Sequence, residues 1–378
     1  MKKQFLGLAA SAIALPTMAL AQIGTEPPPP PPTESPSPNE IVAGAPANDW
    51  VAIDAEDLLV MTLAPDRDGN ERKVVIQLMP APFSQGWVEN IRALARAKWY
   101  DGISVNRVQD NYVVQWGDPG HDNPEGEGIE TKPLTEGLNV MSDEDYTLDF
   151  DAGMFTHIWS ANGRERSVQE LTPRPSPGKN WNGFDDPYAR AFSFVGSFPV
   201  AASTSFKRTT QRGQNTFTGE SVPIVKDIVS PDEVWPIHCY AMVGVGRNYS
   251  PDAGSGAELY TVIGHAPRHL DRNIALAGQV ISGMEHLSSL TRGSGVLGFY
   301  TEEEAAFRTP ILSIRVGSDL PEGERPHFEY LDTTTQTFVE YAKARSNRRD
   351  PFFIVPAGGA DVCNIPVPVR AVTSDAAE

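Results

Sequence analysis

One cation lies inside an apolar stretch of this chain, where a fixed positive charge could do chemistry. The segment YDGISVNRVQDNYVVQWGDP, residues 100–119, places Arg107 among residues typical of β-strands. A buried charge without a partner is unfavourable, so this guanidinium must either reach water or serve a purpose. One such purpose is a charge-assisted hydrogen bond to an atom that gains a lone pair only in a transition state.

The residues around Arg107 follow an ordered pattern. Tyr100-Asp101-Gly102 comes before the predicted strand, Tyr112 and Gln115 follow at strand spacing, and Gly117-Asp118-Pro119 ends the run. This pattern resembles the signature of the cyclophilin peptidyl-prolyl isomerases. The resemblance implies that Arg107 is the catalytic residue and donates a hydrogen bond to the proline nitrogen of a twisted X-Pro amide.

Two further blocks extend the resemblance. His238 to Leu290 is similar, in order, to the family's buried strand, glycine-serine turn, pocket loop and closing glycine-methionine segment, and Ile311 to Leu320 resembles its last barrel strand. With Val51 to Pro119, these blocks imply a mainly β fold, a closed eight-stranded antiparallel cyclophilin-like barrel with capping helices. The implied domain covers residues 49–320, with a large loop insertion at about 119–235 and a C-terminal extension at 321–378.

The resemblance also implies the residues of a substrate pocket. Besides the arginine, the implied substrate-binding residues are Tyr112, Val113, Gln115, Val243, Gly244, Glu258, Tyr260, His269 and Leu270. Most of them would hold the proline ring by apolar contact, while Gln115 would lie beside the arginine and Gly244 would contact the peptide through its backbone.

Several of these positions depart from the family's pattern. Tyr112 and Tyr260 replace phenylalanines, which adds a hydroxyl that needs a partner. Glu258 replaces a glutamine and would either pair with the arginine or compete with the substrate for it. His269 replaces a large aromatic residue, and Ile274 replaces a histidine. We therefore predict an isomerase that assists the folding of exported proteins, and keep as alternative a non-catalytic module that binds proline peptides or acts like a chaperone.

Local patterns predict the elements that position this pocket. Residues from Asp57 to Leu78 read as a β-hairpin, with Asp68-Gly69 in its turn. Apolar residues at helical spacing predict a helix from Ser84 to Lys98, with Ser84 as its N-cap. The C-terminal extension contains a second predicted helix, Thr335 to Ala344.

The N-terminus has the pattern of an export signal. Two lysines precede the apolar run Phe5 to Leu15, and Ala19-Leu20-Ala21 supplies small residues for cleavage, so residues 1–21 are predicted to be a signal peptide. Residues 22–48 are rich in proline and are predicted to form an extended linker. The predicted localisation is periplasmic, without membrane insertion after cleavage.

Composition limits the partners of the mature chain. The formal net charge of the full sequence is −18, and loss of Lys2 and Lys3 with the signal peptide would make it more negative; this argues against nucleic acid and anionic membrane surfaces, because both attract basic proteins. No metal or cofactor motif was found; His265 and His269 are separated by Pro267, which breaks the helix that would align them. The predicted partners are proline-containing segments of exported proteins, and the oligomeric state stays open.

The two cysteines, Cys239 and Cys363, lie far apart in the sequence. In an oxidising compartment they could form one disulfide, and the sequence leaves open whether they do so or remain two buried thiols.

Overall fold

The computed structural model describes residues 35–126, 128–149, 158–160, 165–166, 188–189, 191–214 and 221–372. The predicted signal peptide and the proline run of the predicted linker lie outside these residues. The four α-helices of the described residues are α1 (Pro38–Ala43), α2 (Gln85–Arg96), α3 (Met284–Ser288) and α4 (Gln336–Ser346). None of the described helices is long and apolar enough to cross a membrane.

The same residues form three β-sheets. The strands are β1 (Trp50–Ala52), β2 (Leu58–Leu63), β3 (Arg72–Leu78), β4 (Ser104–Val108), β5 (Val113–Gly117), β6 (Leu148–Asp149), β7 (Ile158–Ser160), β8 (Glu165–Arg166), β9 (Ala191–Val195), β10 (Phe198–Gln214), β11 (Ser221–Pro236), β12 (Met242–Val245), β13 (Glu258–Val262), β14 (Leu276–Ser282), β15 (Ile311–Val316), β16 (Phe328–Leu331) and β17 (Val369–Ala371).

The largest sheet is the predicted eight-stranded antiparallel barrel. Its strands follow the order β15-β2-β3-β14-β12-β13-β5-β4. Backbone hydrogen bonds join β15 to the residues just before β4, because the N–H of Gly102 donates to the carbonyl of Ile311 over 3.0 Å and the N–H of Ile311 donates to that of Ile103 over 2.8 Å. The barrel is therefore nearly closed, which leaves little unpaired strand edge. The prediction of a mainly β fold with an eight-stranded antiparallel barrel is confirmed.

Helix α2 covers part of the barrel with one apolar face. Its buried residues Trp87, Ile91 and Leu94 lie at helical spacing, as the sequence predicted. The indole N–H of Trp87 donates to the carbonyl of Ala253 over 3.0 Å, which ties the helix to the turn before β13. Ser84 occupies the predicted N-cap position, but its φ is 56° and its side chain accepts no capping hydrogen bond.

The insertion is more regular than the predicted loop. Its described strands form a second, six-stranded sheet in the order β6-β11-β10-β9-β7-β8. Strands β9 and β10 form a hairpin that turns at Gly196, whose φ is positive at 56°. Phe198 and Trp235 of this sheet are buried in the same apolar core as the barrel. The insertion thus packs on the barrel through its own sheet.

The two ends of the described chain meet. β1, which precedes the barrel, pairs with β16 of the C-terminal extension, and β16 pairs with β17. Helix α1 forms in the segment predicted to be linker, because Ser37 and Glu40 make a capping box and Pro38 suits the first turn. The second predicted tail helix is present as α4, with Thr335 as its N-cap.

A disulfide fastens the extension to the barrel. Cys239 and Cys363 are bonded with a Cα–Cα distance of 5.2 Å, although they lie 124 residues apart in sequence. Of the two alternatives that the sequence left open, the structure has the bonded pair. Because the bond closes a long loop, it restricts the unfolded chain strongly.

Removal of this disulfide is expected to destabilise the protein without changing its fold. The double variant Cys239→Ser/Cys363→Ser should lose about 2–5 kcal/mol of unfolding free energy, measured by urea denaturation of the oxidised proteins. Addition of reductant should lower the wild-type midpoint and leave that of the double variant unchanged. Equal midpoints for the oxidised wild type and the double variant would contradict the prediction.

Candidate active site

Four neighbouring strands bring the predicted site residues into one row. In the antiparallel register of β4, β5, β13 and β12, Arg107 lies opposite Gln115, Gln115 opposite Tyr260, and Tyr260 opposite Gly244. Residues that face each other across strands project from the same side of a sheet. Residues far apart in sequence are therefore neighbours on one face of the barrel.

A β-bulge puts Arg107 into this row. Val105 pairs with Trp116 and Arg107 pairs with Gln115, so that β4 has one residue more than β5 between the two pairs. Val105 and Trp116 are fully buried in the core. In an unbroken ladder Asn106 would face Gln115, and the arginine would turn toward the core side. Bulges commonly re-aim a side chain in this way beside active sites.

Three hydrogen bonds fix the Arg107 guanidinium. Nε donates to the carbonyl of Leu297 over 2.7 Å, Nη1 donates to Oε1 of Gln115 over 3.0 Å, and Nη2 donates to Oε1 of Gln109. A guanidinium has five N–H donors, so these three bonds leave one on each Nη atom. The group is held in place and still has donors to offer.

Two aromatic rings flank the same guanidinium. Its Cζ lies 5.6 Å from the ring centroid of Tyr112 and 5.3 Å from that of Phe299. His269 in turn stacks on Tyr112, with an angle of 12° between the ring planes. Burial lowers the pKa of Arg107 from its ordinary value, yet arginine stays protonated in proteins, so the flanked group is a cation.

Glu258 does not pair with Arg107 directly. Gln115 stands between them, since its Nε2 donates to Oε1 of Glu258 over 2.9 Å while its Oε1 accepts from the arginine. The glutamate side chain fits a slot made by two glycines: a Cβ on Gly117 would lie 2.6 Å from Oε2 of Glu258, and one on Gly246 would lie 2.9 Å from its Cγ. Of the two sequence-based expectations, direct pairing is wrong.

The carboxyl in this slot is fully buried. Glu258 is 0% exposed, and within the part of the chain that the structure describes its Oε2 has no hydrogen-bond partner. Burial raises the pKa of Glu258 to about 8, against the hydrogen bond from Gln115, which lowers it. At neutral pH the Glu258 side chain is therefore an uncharged carboxylic acid, and it does not neutralise the positive charge of Arg107.

A cleft of about 120 Å³ opens beside the row. Arg107 and Gln115 line it together with Tyr112, Val113, Tyr260, Leu270 and Ile274, which give it an apolar surface. The remaining lining residues are Asp122, Asn123, Pro124, Glu125, Gly246 and Arg247. An apolar cleft with a few fixed polar groups in its lining is suited to a small apolar ring attached to a polar backbone.

Some predicted pocket residues lie elsewhere. Val243 is buried in the core, and Gly244 lies beneath Tyr260, where a Cβ would come within 2.1 Å of the tyrosine ring. Gly246 lines the cleft and Gly244 does not, so the backbone contact of Gly244 with the peptide stays a prediction. Glu258 and His269 support cleft residues from outside it.

The groups that hold Arg107 on the side away from Gln115 could not be recognised from the sequence. Gln109 and the loop with Leu297 and Phe299 were not predicted, and Phe299 forms a β-bridge with Arg107. This loop has neither strand nor helix periodicity. Leu297 accepts the hydrogen bond through its backbone carbonyl, which every residue type has. The residue type at this position therefore carries no sequence signal for the contact.

Comparison with known proteins identifies the barrel. Residues 69–168 match the family described as "Cyclophilin type peptidyl-prolyl cis-trans isomerase/CLD". The chain carries a cyclophilin-type isomerase domain. The crystal structure of the cyclophilin AquaCyp293 from Hirschia baltica matches with a TM-score of 0.53 and 17% identity, over 86% of this chain and 94% of that one. The likeness in fold extends over most of the chain.

Other comparisons add little. Two crystal structures of a cyclophilin type peptidyl-prolyl cis-trans isomerase from Cryptosporidium parvum, one of them in the presence of the dipeptide Ala-Pro, match with TM-scores of 0.31 and 0.33 and identities of 10% and 9%. They cover 68% and 69% of this chain and 98% and 96% of those chains. Similarity at this level says nothing about the site. No curated protein sequence matches the chain.

The structure shows how three of the departures from the family's pattern are accommodated, those at Tyr112, His269 and Glu258. The Tyr112 ring stacks on His269, and the acid at Glu258 is kept neutral by burial. Among the described residues no group of three or more histidine, cysteine, aspartate or glutamate side chains is placed to hold a metal ion. The cyclophilin-type cleft thus presents the Arg107 cation beside apolar surface.

Proposed function

We propose that this isomerase stabilises the twisted X-Pro amide through Arg107 and assists the folding of exported proteins. The observation that carries the proposal is a fixed guanidinium that lines a cleft with an apolar surface and keeps two N–H donors beyond its three bonds to described residues. The cleft would hold the proline ring, and the arginine would lie beside the proline nitrogen.

Cis–trans isomerisation of an X-Pro amide can be catalysed by a fixed hydrogen-bond donor. An amide resists rotation by about 18–20 kcal/mol, because the twisted state loses its resonance. In that state the proline nitrogen regains a lone pair, which can accept a hydrogen bond. A donor that meets this lone pair stabilises the transition state more than either planar form, which is the condition for catalysis. Since no bond is formed or broken, no general acid, nucleophile or metal ion is required.

Exchange spectroscopy tests this function. A short peptide with an X-Pro bond interconverts over tens to hundreds of seconds unaided, and a sub-stoichiometric amount of the protein should make cis–trans exchange visible by two-dimensional NMR. Exchange at the rate found in buffer would overturn the catalytic proposal.

A proline-binding module without catalysis is the second candidate. It is favoured by the bonds from Arg107 to Leu297, Gln109 and Gln115, which already occupy part of the guanidinium. In the same experiment, saturable shifts of the peptide resonances without faster exchange would support this candidate over the isomerase.

We further propose that the protein is exported to the periplasm, where its clients would be newly translocated chains. The predicted signal peptide motivates this, and the disulfide between Cys239 and Cys363 supports an oxidising compartment. Fractionation of a Gram-negative host that expresses the full chain should recover it from the periplasm, with Gln22 as its first residue by mass spectrometry. Recovery from the cytoplasm with the predicted signal still attached would contradict the proposal.

A further inference from the structure

The hydroxyl of Tyr260 has a partner behind the cleft. Tyr260 stands where the cyclophilin pattern has a phenylalanine, and its hydroxyl lies 2.8 Å from Nε2 of His238. The two rings are almost parallel, with 10° between their planes, and His238 is only 1% exposed. A buried hydroxyl without a partner is unfavourable, so this contact limits where the tyrosine ring can lie.

Asp271 determines which nitrogen of His238 carries the proton. Its Oδ1 lies 3.0 Å from Nδ1 of His238 and also accepts the backbone N–H of that residue over 2.9 Å. Because a carboxylate can only accept a hydrogen bond, Nδ1 of His238 must carry the proton. Nε2 of the neutral ring then has the lone pair and accepts a hydrogen bond from the Tyr260 hydroxyl. Burial lowers the pKa of His238 although the hydrogen bond to Asp271 raises it, which keeps the ring neutral.

The pair of His238 and Asp271 is itself held firmly. Nε of Arg268 donates to Oδ2 of Asp271 over 2.6 Å. Burial alone would raise the pKa of Asp271, but the hydrogen bond from His238 and the charge of Arg268 lower it, so the group is a carboxylate. Arg268 also lies 3.6 Å from Asp361 in the extension, and the residue after His238 is the disulfide cysteine Cys239.

We propose that His238 and Asp271 are positioning residues of the proline cleft, which hold the Tyr260 ring in place through its hydroxyl. Neither residue lines the cleft, whereas the Tyr260 ring does. Beneath the ring lies Gly244, which has no side chain to fix it from below. The inference rests on the proposed function, because it takes the cleft as the place where the proline ring binds.

A double-mutant comparison tests the inference. His238→Leu keeps the volume but removes the acceptor, so the hydroxyl should swing toward the cleft and raise KM about fivefold to tenfold, with a smaller effect on kcat. His238→Gln retains an acceptor and should recover most of the loss. In a Tyr260→Phe background there is no hydroxyl to place, and His238→Leu should then leave KM within about twofold of that background.

Two outcomes would overturn the inference: the same rise in KM with and without the tyrosine hydroxyl, or no rise in KM at all. His286→Leu, on α3, is the matched control for the loss of a histidine. A second readout does not need activity: the ¹⁵N shifts of His238 should show a neutral ring with its proton on Nδ1, and Tyr260→Phe should shift the Nε2 resonance. An unchanged Nε2 resonance would contradict the contact even if the protein proved not to be an isomerase.

Discussion

Arg107→Ala is expected to lower the isomerase kcat/KM by about one to two powers of ten, because a hydrogen bond from a charged group contributes about 1.5–3 kcal/mol. The loss should fall mainly on kcat, since the lone pair on the proline nitrogen exists only in the twisted state. The measurement is cis–trans exchange of an X-Pro peptide by NMR, at peptide concentrations above and below KM.

Arg107→Lys separates charge from geometry. An ammonium group keeps the charge but cannot reach Leu297, Gln115 and Gln109 together in the way a planar guanidinium does, so most of the loss should remain. Arg325→Ala is the matched control, because this exposed arginine likewise donates from Nε to a backbone carbonyl, that of Leu320. A loss with Arg325→Ala equal to that with Arg107→Ala, or full activity of Arg107→Ala, would contradict the assigned role.

The sequence could predict the row of site residues but not how each is held. Arg107, Gln115 and Tyr260 were identified through their motif, and strand register brings them together. The bulge in β4 that turns Arg107 outward depends on one extra residue, and no residue type marks it. The packing of Gly244 against the Tyr260 ring was not predicted, because a glycine that lets a backbone touch a ligand and one that makes room for a ring look the same in a sequence.

Contacts between residues far apart in the sequence also could not be predicted. His238 was placed in a predicted strand and given no role in the site, since its partners Tyr260 and Asp271 lie 22 and 33 residues further on. The sheet of the insertion was read as a loop because its region is rich in glycine, proline and acidic residues. Helix α1 was missed because the prolines around it outweighed the capping box of Ser37 and Glu40.

Glu258→Gln is expected to stabilise the protein at alkaline pH. The pKa of Glu258 is raised from 4.5 to about 8 in the folded protein, so the unfolded chain binds fewer protons between those values. Stability therefore falls as the pH rises through this window, by roughly 3 kcal/mol between pH 5 and pH 8. A glutamine cannot ionise, and it fills the same slot between Gly117 and Gly246 with nearly the same shape. Urea midpoints from pH 5 to pH 9 should fall for the wild type and stay nearly level for the variant.

The exposed Glu285→Gln on α3 removes the same formal charge and is the control. It should follow the pH dependence of the wild type. Parallel curves for the wild type and Glu258→Gln would show that the buried acid does not titrate in this range, which would contradict the raised pKa.

The same titration should reach the catalytic group. When Glu258 ionises, a negative charge lies beyond Gln115, whose amide contacts both the acid and Arg107. That negative charge would weaken the electrostatic stabilisation that the guanidinium gives to the proline nitrogen in the transition state. A loss of about 1 kcal/mol of this stabilisation corresponds to roughly a fivefold decrease in rate. Wild-type kcat/KM should therefore decline above about pH 8, while Glu258→Gln should keep its activity there. Equal pH profiles would mean that the buried acid acts on stability alone and that Gln115 shields the arginine from it.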